Sequence, residues 1–156
     1  MAKPRSERSG RARSMSRRLA LQALYQWQMT GHSFAELRNQ YTQDEGYPEV
    51  DPDYFKALLE GAIEGAPAID DLLAQWLDRP VNQLDPIEHA VLLIGVEELR
   101  GHLEVPYRVV LNEGVELAKK FGATDGHKFI NAVLDRAARQ LRASELQALA
   151  RQAPSE

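Results

Sequence analysis

Twice in this chain an aspartate is followed at once by a proline and then by an apolar stripe of helical period, at Asp51-Pro52 and at Asp85-Pro86. An aspartate side chain accepts from the first free amides of a helix, and proline at the first helical position has no amide to leave unsatisfied. Behind Asp51-Pro52 the stripe is Phe55, Leu58, Leu59, Ala62 and Ile63. Gly65 and Pro67 punctuate it, and a following helix places Ile69, Leu72, Leu73, Trp76 and Leu77 on one face and stops at Pro80. Behind Asp85-Pro86 the run from Ala90 to Val96 is apolar nearly all round, which predicts the buried central helix.

The same punctuation recurs elsewhere. From Ser16 a first helix carries Leu21, Leu24, Tyr25 and Gln28 and ends at Gly31. Ser33 and Glu36 form a capping box for a second, with Phe34, Leu37 and Tyr41. Val105-Pro106 opens a helix through Val110, Gly114, Leu117, Ala118 and Phe121, closed by Gly122. Thr124 or Asp125 caps the last long one, striped by Ile130, Val133, Leu134, Ala137 and Leu141. No stretch alternates with period two. The sequence therefore predicts an all-α bundle of about seven helices. The expected division is a disordered basic arm over 1–13, a helical domain over 14–142 with subdomains about 14–80 and 81–142, and a flexible or frayed helical tail over 143–156.

Charge is distributed unevenly. Residues 1–18 hold seven basic side chains against Glu7, so this segment is +6 while the whole chain is −4. A basic arm on an acidic body is the asymmetry expected of a nucleic-acid-binding tail, and a solubilising leader would share it. The absence of cysteine excludes disulfides and thiolate chemistry, and makes a reducing cytoplasm the simplest setting. The longest apolar run, 90–96, is far short of the roughly 20 residues that span a bilayer, and no apolar stretch follows the basic N-terminus as in a secretory signal.

Catalytic and metal chemistry find no foothold. His32, His89, His102 and His127 lie on four different segments, none with a second histidine at the i, i+4 spacing of a helical zinc site. There is no GxxxxGK[ST] loop, no GxGxxG turn after a strand and no GxSxG elbow, so no catalytic residue, metal or cofactor is expected. Glu97-Glu98 and Asp70-Asp71 are adjacent pairs, which a helix splays by about 100°. Recognition remains. The junction from Lys119 to Phe129 gathers cations, two aromatics, a glycine turn and a helix N-terminus, the parts that hold phosphates and stack unpaired bases. The residues alone leave Phe121 and Phe129 open as base-stacking faces or as core anchors, and Tyr25 open as an interface anchor or as packing.

Three segments resemble the NusB family of bacterial transcription antitermination factors: 20–28 (Ala20-Leu21-Gln22-Ala23-Leu24-Tyr25-Gln26-Trp27-Gln28), Ile87 to Leu99, and Val105 to Gly122 with its continuation from His127 to Asp135. The resemblance runs from about Arg17 to Leu141. It implies seven helices in two small subdomains. It also implies binding of the boxA element of nascent ribosomal RNA jointly with NusE, a small-subunit ribosomal protein, and access to RNA polymerase through other Nus factors. By motif position it makes Tyr25 and Glu88 the NusE-facing residues. Phe121, Asp125, Lys128 and Phe129, with Arg11, Arg13, Arg17 and Arg18, become the RNA-facing ones. The family's arginine cluster before the first helix is interrupted here by Ser14-Met15-Ser16. Two alternatives of other classes are a protein-interaction module or homodimer without RNA specificity, and the NusB-like domain of a ribosomal RNA methyltransferase. For the second, the chain has no room for an α/β cofactor domain.

Overall fold

The computed structural model describes residues 5–152 as seven α-helices: α1 (Arg5–Thr30), α2 (Phe34–Tyr41), α3 (Pro52–Trp76), α4 (Pro86–Gly101), α5 (Tyr107–Phe121), α6 (Gly126–Leu141) and α7 (Ala143–Gln152). Short 3-10 turns at Tyr47–Glu49 and Val81–Gln83 lead into α3 and α4, and no strand occurs among the described residues. The expected helix starts are present. Asp51 accepts from the Tyr54 amide and Asp85 from the amides of Ile87 and Glu88, while Ser33 and Glu36 close their capping box.

The count of seven agrees with the sequence reading, but its partition differs at three places. The break expected at Gly65 and Pro67 is absent, and α3 runs through both as one helix. Pro67 withholds one amide, a local cost, whereas Leu58, Leu59, Ala62, Ala66, Ile69 and Leu73 stay on a single buried stripe only if the helix continues. The arm expected to be disordered over 1–13 joins α1 from Arg5 onward, and residues 1–4 lie outside the described residues. Arginine is a good helix former, and Glu7 sits in the first turn where the helix dipole favours an acid.

The tail differs too, since 143–152 is α7. Its anchor is Arg142, a buried cation that donates to the carbonyls of Leu99 (2.7 Å), His102 (3.0 Å) and Glu98 (3.1 Å) at the end of α4. Arg142 also pairs with Glu145, whose other oxygen accepts from the Tyr107 amide at 3.0 Å. The first turn of α7 is thereby tied to α4 and α5.

α4 is the central helix: every residue from Ala90 to Leu99 is buried, and α1, α3, α5 and α6 all pack against it. Close approach on one side depends on two glycines. A Cβ at Gly95 would stand 2.7 Å from one methyl of Leu134, and a Cβ at Gly114 would stand 2.7 Å from the other. Leu134 of α6 is thus a wedge filling the gap where α4 and α5 carry no side chain. It cannot retreat from one helix without striking the other. Gly114→Ala gains helix propensity of about 1 kcal/mol but overpacks this wedge. A net loss of about 1–2 kcal/mol in urea unfolding is expected, partly recovered by adding Leu134→Val.

Candidate nucleic-acid interface

The four arginines assigned to RNA occupy different environments on α1. Arg17 is 2% exposed. Its Nε and Nη2 donate to the two carboxylate oxygens of Glu98, each at 2.9 Å, and Nη1 lies 3.5 Å from Glu113. The Tyr54 hydroxyl donates to the same Glu98 carboxylate. Burial alone would lower the Arg17 pKa, and the hydrogen bond and charge of Glu98, with Glu113 behind them, outweigh it and leave it raised. Burial likewise pushes the Tyr54 phenol up, reinforced by Glu98. The assignment of Arg17 to RNA is therefore corrected: its fork is filled by carboxylates inside the core, and a phosphate cannot reach it.

Arg13 is half-buried over the Tyr54 ring at 4.4 Å from its centre, on the same side as Arg17 one turn later. Arg11 is exposed and paired loosely with Glu49 at 3.6 Å. Arg18 turns toward α5, with its guanidinium 5.8 Å from the centre of the Phe121 ring. The interruption at Ser14 and Ser16 also acquires a physical role. Ser14 donates to Glu113 at 2.6 Å, and Ser16 accepts from the Asp51 amide at 3.0 Å, joining α1 to α5 and to the start of α3.

At the junction, Phe121 and Phe129 are both half-buried, packed against the core without being sealed inside it. Asp125 precedes α6 with φ +65°, a left-handed conformation uncommon outside glycine, and its side chain makes no capping hydrogen bond. The carboxylate instead faces solvent 3.5 Å from Lys128, which is itself exposed. Held strain of this kind concentrates at binding sites. An acceptor left unspent on its own helix remains available to a ligand donor.

The two residues assigned to a protein partner adjoin this junction. Tyr25 is 41% exposed and shares a groove of about 410 Å3 with Leu21, Gln22, Met29, Ile87 and Phe121. Glu88 begins α4 beside the start of α6, its carboxylate 3.3 Å from where a Gly126 Cβ would stand. Burial raises the Glu88 pKa, the charge of Asp85 adds to this, and Arg79 partly offsets it. Arg79 escaped the sequence reading. It lies in the connector between α3 and α4, with its guanidinium 4.7 Å from the centre of the Phe129 ring. Its only signal was a cation beside a proline stop with no helical stripe to serve. No described helix is long and apolar enough to cross a membrane, and no described histidines and acids cluster as a metal site.

Residues 14–139 match the sequence profile of the NusB family. The chain belongs to the NusB family. It is 48% identical over 136 residues to the transcription antitermination protein NusB of Hahella chejuensis, covering 87% of this chain and 91% of that one. It is 50% identical over 138 residues to the NusB of a Marinomonas species, covering 87% and 79%. Among solved structures, T. maritima NusB superposes with a TM-score of 0.73 at 25% identity, covering 90% of this chain and 94% of that one. A structure of the antitermination factors NusB and NusE in complex with double-stranded RNA gives a TM-score of 0.69 at 27% identity, covering 83% and 97%. The family match begins at residue 14, so the first turns of α1 lie outside it, as does α7.

Two outcomes follow for stability. Arg17→Ala leaves Glu98 buried without its cation and is expected to cost about 3–5 kcal/mol in urea unfolding, whereas Arg18→Ala costs about 1 kcal/mol or less. For Glu88 the native state holds the proton more tightly than the unfolded chain does. Stability therefore falls as pH rises from the ordinary carboxyl range through the raised native value, and stays lowered above it. Glu88→Gln is expected to be slightly more stable than the wild type at neutral pH, the difference vanishing below the ordinary carboxyl range.

Proposed function

We propose that this NusB-family protein is an RNA-binding transcription antitermination factor and not an enzyme, taking the boxA element of nascent ribosomal RNA together with NusE in the cytoplasm. Through that pair and other Nus factors it joins the antitermination complex on RNA polymerase and suppresses premature termination. The observation that carries the reading is the α5–α6 junction, where two half-exposed aromatics, each with an arginine on its face, meet an uncapped aspartate and an exposed lysine.

The division of labour follows from residue chemistry. Arg11, Arg13, Arg18 and Lys128 supply phosphate attraction, which is independent of sequence and weakened by salt. Phe121 and Phe129 supply surfaces for unpaired bases, and Asp125 accepts from a base edge. Tyr25 and Glu88 face the partner protein: the first offers an aromatic anchor over an apolar groove, and the second a partly desolvated carboxylate that a partner cation would relieve. Arg17 supports all of this from within by fixing α1.

The test is a titration of boxA RNA and of a scrambled sequence, with and without NusE, at several salt concentrations. Selective binding of boxA, strengthened by NusE, is expected. Lys128→Ala should lower the salt slope by about 0.7 for single-stranded RNA while leaving the preference for boxA intact. Equal affinity for both RNAs, with and without NusE, would overturn the reading.

A further inference from the structure

Beyond the residues assigned above, the connector between α3 and α4 carries a cation placed on the RNA-facing junction from outside it. Arg79 belongs to neither α5 nor α6, yet its guanidinium lies 4.7 Å from the centre of the Phe129 ring, within cation–π range. Its side chain is 44% exposed, so this stack is open to solvent on its outer side. The guanidinium is tethered on one side and feels a second acid nearby. Nε donates to Asp78 Oδ1 at 3.1 Å, and Arg79 is near enough to Glu88 to favour that carboxylate's ionised form.

Two ways of holding RNA are open to an arginine: its charge can meet a phosphate, or its flat face can meet a base. The surroundings decide between them. Asp78 already pairs with the guanidinium, Glu88 adds a second acid, and Asp125 stands one helical turn from Phe129 at the start of α6. Two other cations on the adjoining α6 are already engaged: Arg136 donates to the Trp76 carbonyl at 2.7 Å, and Lys128 faces Asp125. The negative charge of these carboxylates opposes a phosphate. A base presents no net charge, and its ring amino and imino groups can donate to those same acids.

We infer that Arg79 is an RNA-binding residue of the stacking kind: its guanidinium, laid on Phe129 and braced by Asp78, forms the outer face on which one unpaired base of the RNA stacks. The assignment rests on the RNA-binding reading above and extends the base-contacting surface onto a different segment. Phe129 supports the guanidinium from below, and a base on its outer side stands on the same side of the molecule as the Asp78 carboxylate.

The experiment repeats the boxA titration with the full chain and NusE, comparing wild type, Arg79→Ala and Arg79→Lys across a salt series. A retained thermal midpoint for both variants checks folding. Arg79→Ala should lose about tenfold in boxA affinity with the salt slope unchanged, as expected for one stacked base. Arg79→Lys should fail to restore it, since an ammonium has the charge without the plane. Unchanged affinity in Arg79→Ala overturns the assignment. So does a slope lowered by about 0.7 with full rescue by lysine, the signature of a phosphate contact. A wild type that binds boxA and scrambled RNA alike overturns the RNA reading itself, a result distinguishable from either of these.

Discussion

The bidentate pair between Arg17 and Glu98 is the interaction on which the arrangement depends. Glu98 belongs to the helix at the centre of the bundle, and the same carboxylate receives the Tyr54 hydroxyl of α3, while Arg17 also reaches Glu113 of α5. Four helices thus meet at one buried ion cluster. Burying two charges is costly, and an apolar replacement of the same shape could be as stable. What the cluster provides is register. Apolar contacts tolerate a helix that slides or rotates slightly, but a forked pair with both oxygens occupied does not. It fixes which side of α1 faces inward, and hence that Arg18 and Tyr25 face the α5 end.

Much of the fold was legible because its punctuation is chemical. Caps at Ser33, Asp51 and Asp85 and the buried stripe of α4 are local signals, and each stands where the residues placed it. What failed was any judgement in which a local signal opposed a long-range one. Gly65 and Pro67 spell a break, but the stripe they interrupt is buried on both sides of them, and burial prevails. Residues 143–152 read as a fraying tail because their anchor, Arg142, makes its bonds to carbonyls about forty residues away. Periodicity carries no trace of such a contact.

The site shows the same limit more sharply. Basic residues clustered in sequence invite a common role, but on a helix they point in different directions, and Arg17 and Arg18 part company for that reason alone. The residue types located the junction, the family resemblance assigned roles within it, and the structure separated its parts. Phe121 and Phe129 are neither wholly core nor wholly free, Asp125 is not spent as a cap, and Arg79 enters from a connector whose sequence offered no pattern to read.

The helical state of the first turns of α1 has a consequence in the dimension of length. A helix advances 1.5 Å per residue, so Arg5 stands roughly 18 Å along the axis from Arg17. That is about two Debye lengths at physiological ionic strength. A slack chain would let its positive charge fold back at random onto the acidic body, whereas a rod fixes where each charge stands and keeps Arg5 about two Debye lengths from the ion cluster at Arg17. The ionic strength of the surroundings thus sets how far ahead of the body that end can draw an approaching polyanion.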